Sequence, residues 1–201
     1  MSRWIGLNAS LTGTTVDLAP LEPKHFFDLA ALALDKRIWE FCPFNCSEAG
    51  RFREIFNEAL CERDRGTQFP FVIIHKAHGK FIGGTRFLDI QQSHRKLEIG
   101  WTWLAPDYWA TSTSLECKLL LLTFGFERLG ASRIQLKADE NDQRSRRVIE
   151  KMGGRFEGIL RNDMIRDNQT IRHSAMYSII DTDWEMVKPT LTALCREHPG
   201  G

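Results

Sequence analysis

The stretch LEIGWTWLAPDYWATSTSLECKLLLLTFGFERLG, Leu97–Gly130, carries the pattern that decides the fold. In its first part Leu97, Ile99, Trp101 and Trp103 fall on one side, and Glu98, Gly100 and Thr102 on the other, the two-residue period of a strand. The first set is wholly apolar and is expected to pack on helices. The second is small and polar apart from one carboxylate, which suits the wall of a cleft. Beyond Ala105-Pro106-Asp107-Tyr108-Trp109 a run of small residues leads into a helix, expected from about Ser114 to Leu129 and ended by Gly130. Leu115, Leu119, Leu122, Phe126 and Leu129 form one stripe of it. Leu120, Leu121 and Phe124 extend the apolar cover nearly all round, so burial is expected to be deep. At the start of such a helix the backbone N–H groups lack intrahelical partners, and the positive end of the helix dipole adds to them, which makes an anion site. Thr113 and Glu116 have the spacing of a capping box. On these residues alone, a well-capped buried helix without a ligand is the preferred reading.

Working outward, residues 14–20 read as a short first strand, and Pro23 precedes a helical pattern over 24–34. An aromatic loop follows, Ile38-Trp39-Glu40-Phe41-Cys42-Pro43-Phe44, and a second helix is expected from Ser47 to about Arg65 with Gly66 as its stop. Three strands come next, at 69–75, 79–88 and 95–104, joined by turns short enough for antiparallel hairpins. After the buried helix come a strand at 132–138, a helix from Asp142 to Met152 closed by Gly153-Gly154, and two strands near 155–161 and 171–180. The order β-α-α-β-β-β-α-β-α-β-β is that of a mixed α/β sandwich. Neither a repeat nor a Pro/Gly-rich linker divides the chain, so one domain is expected over 1–201, with a core of about 15–180 and a C-terminal tail of about 181–201.

Composition removes several function classes. A formal net charge of +1 leaves no electrostatic footprint for duplex nucleic acid or an anionic membrane, so neither partner is expected. The longest aliphatic run, Leu119–Leu122, is far too short to span a bilayer. Cys42, Cys46, Cys61, Cys117 and Cys195 are odd in number and scattered, which reads as reduced thiols of a cytoplasmic protein. Cys42 and Cys46 lack two further ligands, and no metal site is expected.

The order of elements, the run Leu97–Gly130 and the later run LKADENDQRSRRVIEKMGGRFEGILR together resemble the GNAT superfamily of N-acetyltransferases, in the branch that holds the ribosomal-protein N-terminal acetyltransferases. The resemblance covers about Thr15 to Ile180. It implies a twisted, mostly antiparallel sheet of about seven strands, splayed between the fourth and fifth, with about four flanking helices. It also implies acetyl-CoA as co-substrate and an acceptor that is a small-molecule amine or a protein N-terminus, and it allows a homodimer.

Residue by residue, the resemblance puts Trp103, Leu104 and Ala105 where the family's strand edge pairs with the pantetheine arm. The pyrophosphate loop, Q/R-x-x-G-x-G/A in the family, reads Asp107-Tyr108-Trp109-Ala110-Thr111-Ser112 here. Both glycines are replaced. A side chain at a left-handed position costs roughly 1–2 kcal/mol, so weaker cofactor binding is expected where Ala110 or Ser112 takes that conformation. The remaining loop amides, through Thr113, Ser114 and Leu115, stay available.

Glu98 matches the position of the general base in several family members; its other reading is a solvated carboxylate paired with Arg95 or Lys96. The family's proton-donating tyrosine is replaced by Ile149, and Ser145 is the substitute that the resemblance suggests. Asn141 is expected to bond the pantetheine arm or fix the substrate, or else to cap a helix, and Arg144, with Arg146 and Arg147, to meet phosphates or simply face solvent. Trp39, Phe41 and Phe44 are expected at the acceptor pocket, with at least two of them plugging the core. The competing reading is a fold that binds acyl-CoA without turnover.

Overall fold

The computed structural model describes residues 3–197 and joins eight strands into one sheet, in the order β1-β2-β3-β4-β5-β6-β8-β7. These are β1 (Leu11–Thr12), β2 (Val16–Pro20), β3 (Phe69–His75), β4 (Lys80–Gln91), β5 (Lys96–Leu104), β6 (Arg133–Asp139), β7 (Arg155–Ile165) and β8 (Ile171–Ile180). Every neighbouring pair is antiparallel except β5 with β6. The helices are α1 (Phe26–Ala33), α2 (Ala49–Arg65), α3 (Ser112–Thr123), α4 (Gln143–Lys151) and α5 (Asp181–Glu197).

Local chemistry accounts for most boundaries. β3, FPFVIIH, is β-branched or aromatic apart from Pro70 and lies in the sheet interior. α2 ends where Gly66 takes φ 80°, a left-handed conformation that glycine adopts without steric cost. α4 begins under the Asp142 side chain, which accepts from the Ser145 amide at 2.9 Å. α3 runs on through a π turn, Phe124–Arg128, and so reaches the predicted end.

Eight strands and five helices replace the expected seven and four. The added strand, β1, has two residues, too few for any period to register. The added helix, α5, covers residues expected as a tail and packs on α3, with Trp184 stacked on Phe126 at 5.1 Å. α3 and α5 cover one face of the sheet, where Leu121 and Leu122 are fully buried; each such leucine contributes about 2 kcal/mol. α1 and α2 cover part of the other, around Trp39, Phe52, Phe56 and Val72.

The expected apolar face of β5 holds only as far as Gly100. Leu97 and Ile99 pack in the core on the α3 side, whereas Trp101 and Trp103 pack in the core formed by α1 and α2. The cause is a bulge: Arg86 pairs with Gly100, and the next pair is Gly84 with Trp103, so three residue steps on β5 face two on β4. One extra residue exchanges the faces of everything after it.

Candidate active site

β5 and β6 pair in parallel from Lys96 with Arg133 to Ile99 with Leu136, and no further, although β5 continues to Leu104 and β6 to Asp139. The strands part where β5 bulges, at Trp101 with φ 50°, because a bulge bends its strand and increases the local twist. Past Ile99 the β6-facing edge of β5 therefore presents backbone donors and acceptors without a strand partner, a template for an extended chain. The opposite edge is closed tightly: a Cβ on Gly83 would fall 2.0 Å from the Trp103 carbonyl oxygen.

Below this opening the chain turns through Pro106–Tyr108 into α3. The Trp109 indole donates to the Leu104 carbonyl at 2.9 Å, tying the loop to the end of β5. Ala110 follows with φ 56°, so the first replaced glycine does take the left-handed conformation. The backbone N–H groups of Ala110 and Thr111 make no hydrogen bond among the described residues, and those of the first turn of α3 have none to make within the helix. The hydroxyl oxygens of Ser112 and Thr113 are buried and also without partners among the described residues. The capping box expected of Thr113 and Glu116 is not formed. The Glu116 carboxylate instead accepts from the amides of Thr14, Thr15 and Val16 at 2.6, 2.7 and 3.0 Å, because α3 packs its flank against the start of β2. The helix start is thus left without the Glu116 carboxylate that a capping box would bring to its positive end. The Arg144 guanidinium lies over the Trp109 ring at 4.1 Å and brings a cation to the same loop.

Glu98 is buried on β5. It accepts from Gln135 Nε2 at 3.0 Å and lies 3.5 Å from Lys137 Nζ, both on β6. Burial pushes its carboxyl pKa up, and Lys137 opposes the shift. The partners expected from sequence are elsewhere, Lys96 lying 3.7 Å from Asp89. Ser145 Oγ donates to Asp142 Oδ2 at 2.6 Å. Asp142, not Asn141, caps α4, and the exposed Asn141 side chain makes no hydrogen bond among the described residues.

Trp39 is buried and donates to the Ala33 carbonyl at 2.7 Å, and its ring meets Trp103 at 5.5 Å. Phe44 stacks on Trp101 at 5.6 Å, while Phe41 is half-buried. The loop that carries them is held by the β7–β8 turn, where Asp167 donates its amide to the Pro43 carbonyl and accepts from the Asn45 amide, each at 3.0 Å. A cavity of about 30 Å³ lies behind, between α1, α2 and the sheet, lined by Trp39, Trp101, Trp103 and Arg86 among others. Burial lowers the Arg86 pKa to about 10, and its guanidinium lies 4.5 Å over the Trp101 ring.

A family model described as an acetyltransferase (GNAT) domain matches residues 16–155, more than half of the chain and all of this site up to α4. The chain belongs to the GNAT acetyltransferase family. It is 32% identical over 122 residues to an uncharacterized N-acetyltransferase, YoaA of Bacillus subtilis, covering 61% of this chain and 67% of that one. It is 28% identical over 173 residues to YdaF of the same organism, provisionally named a ribosomal N-acetyltransferase, covering 82% and 91%. Among solved structures, a GCN5-related N-acetyltransferase from Brucella melitensis superposes with a TM-score of 0.84 at 25% identity, covering 92% of this chain and 85% of that one. The fold is also that of Mycobacterium smegmatis RimJ in complex with CoA-disulfide, at TM-score 0.78, 19% identity and coverage of 92% and 94%.

The GNAT fold brings the sequence-predicted loop residues, from Trp103 through Leu115, to one end of the sheet, and Arg144 joins them by way of Trp109. Glu98 is linked through Lys137 on β6 to the strand that ends at Asp139, whose side chain accepts from the Asn141 amide at 3.0 Å. Arg146, expected near phosphates, is engaged with the Tyr177 hydroxyl at 2.9 Å. Arg86 and Lys118 escaped the sequence reading. Each is a basic residue within an apolar run, TRFL and LECKLLLL, and that departure from pattern was the available signal.

Proposed function

We propose that this GNAT protein moves an acetyl group from acetyl-CoA to a primary amine by direct transfer with both substrates bound. The observation that carries the reading is the parting of β5 from β6 above a helix start whose Ser112 and Thr113 hydroxyls are buried without partners among the described residues. An extended amide-bearing arm fits the open strand edge, and an anionic pyrophosphate fits the free amides and hydroxyls. In this reading Trp103, Leu104 and Ala105 bind the arm, and Ala110 to Leu115 hold the phosphates with Arg144 beside them. Acetyl-CoA supplies the thioester, whose acyl carbon takes the amine nitrogen as the carbon–sulfur bond breaks.

Glu98 receives the proton that the amine gives up, a role favoured by a carboxyl pKa that burial raises against the opposing influence of Lys137. Ser145 provides the proton for the departing thiolate, exchanging its bond to Asp142 for one to sulfur. Asn141 fixes the arm or the acceptor with its unengaged side chain. Trp39, Phe41 and Phe44 shape the acceptor side, Trp39 from within the core. YdaF's name, a ribosomal N-acetyltransferase, supports a protein acceptor, for which a protein N-terminus is the amine we favour beside small-molecule amines. The five cysteines are free thiols, which suits a reducing compartment and supports a cytoplasmic location.

Ala110 supports the second reading, a CoA-binding module without turnover, because its left-handed backbone strains the loop. Calorimetric titration with acetyl-CoA, beside thiol release over a panel of amines and N-terminal peptides, separates the two. Binding with release supports the enzyme. Binding without release on any acceptor favours the module, and no binding at millimolar cofactor sinks both.

A further inference from the structure

Ser114, Lys118, Leu121 and Gly125 form one stripe along α3 and its π turn, at spacings of three and four residues. At the Gly125 end the stripe touches β6: a Cβ there would lie 2.4 Å from Ile134 Cδ1, and Ile134 is paired with Leu97 of β5. Since α3 runs back along β5, its N-terminal half follows the two strands to where they part. There the stripe presents Lys118. Its ammonium donates to the Thr102 hydroxyl, which lies 2.8 Å from the Thr85 hydroxyl on β4. Thr102 belongs to the part of β5 beyond Ile99, the last residue paired with β6.

Lys118 therefore stands on the stripe below the opening, half-buried. Among the described residues no carboxylate comes within ion-pair distance of the ammonium, and Thr102 takes one of its three hydrogens. A desolvated cation with unmet donors is costly unless something completes it. Burial has already pushed the lysine pKa down to about 8. Lys118 is six residues beyond Ser112, about 9 Å along the helix axis. That is too deep for phosphates held at the helix start and level with an arm that continues from them.

We propose that Lys118 donates a hydrogen bond to a carbonyl oxygen of the pantetheine arm and so anchors CoA independently of the pyrophosphate loop. The proposal rests on the cofactor reading above. It is tested by calorimetry of wild type, Lys118→Met and Lys118→Gln with two probes: CoA, and adenosine 3′,5′-bisphosphate, which lacks the arm. The expected result is a loss of CoA affinity of about tenfold in both variants, with adenosine bisphosphate bound as in wild type. That second titration also proves each variant folded, and Lys118→Gln keeps a polar side chain should Lys118→Met fail to fold. Unchanged CoA affinity in a folded variant overturns the proposal alone, as does an equal loss for both probes, which would make Lys118 a structural peg. Wild type that binds no CoA overturns it together with the cofactor reading.

Discussion

The Glu98 carboxylate lies 3.5 Å from the Lys137 ammonium, across two parallel strands whose pairing ends one residue further along β5. The pair stands at the root of the opening, so its charge state is set by burial on one side and by the cleft on the other. Burial raises the Glu98 pKa and Lys137 lowers it. The base form is the ionised one, so activity is expected to rise with pH along a limb displaced above the ordinary carboxylate range. Glu98→Gln should remove that limb and lower turnover by roughly 100-fold or more, with CoA affinity unchanged. Lys137→Met, which removes the lowering influence, should move the limb to higher pH. A profile of kcat/KM against pH for the three proteins decides the matter, and coincident limbs would take Glu98 out of the mechanism.

Ala110 holds φ 56° in the loop before α3. Relief of that strain by Ala110→Gly is expected to stabilise the protein by about 1 kcal/mol, a rise in Tm of about 2–4 °C, and to tighten CoA binding where the loop must keep this shape. A thermal melt with and without CoA is the check. An unchanged Tm would mean that the loop sheds the strain in solution.

Ser112 presents a buried hydroxyl with no partner among the described residues. Removing an unsatisfied group relieves a desolvation cost, so Ser112→Ala should leave the unliganded protein as stable as wild type or slightly more so. The same change should weaken CoA binding by roughly threefold to tenfold. Equal CoA affinity in calorimetry would show that the hydroxyl does not meet the phosphates.

Glu116 receives three backbone amides at the start of β2. Its replacement by alanine strands those donors, and a loss of about 3 kcal/mol is expected, read as a drop in the urea midpoint. CoA affinity measured well below the new Tm should be unchanged, because the carboxylate points away from the helix start. A large affinity loss there would assign Glu116 to the site.

Several features of this protein were legible in the chain alone because they depend on neighbours in sequence. The β-branched run Phe69–His75 is a strand with the predicted ends, Gly66 stops α2, and the small residues before Leu115 do open a helix start without partners. The family and its fold also followed from local runs in the right order. What escaped the sequence depends on register between strands. Trp101 and Trp103 changed faces because β5 bulges against Gly84 and Arg86, residues about fifteen positions away in the chain. Glu116 left its own helix start for the amides of Thr14 to Val16, about a hundred residues earlier. Lys118 gained a hydroxyl partner because Thr102, itself beside Thr85, is brought over it. Local backbone preference is written in consecutive residues, but the partner of a buried polar group is chosen by whichever distant element packs against it, and packing alone decides that.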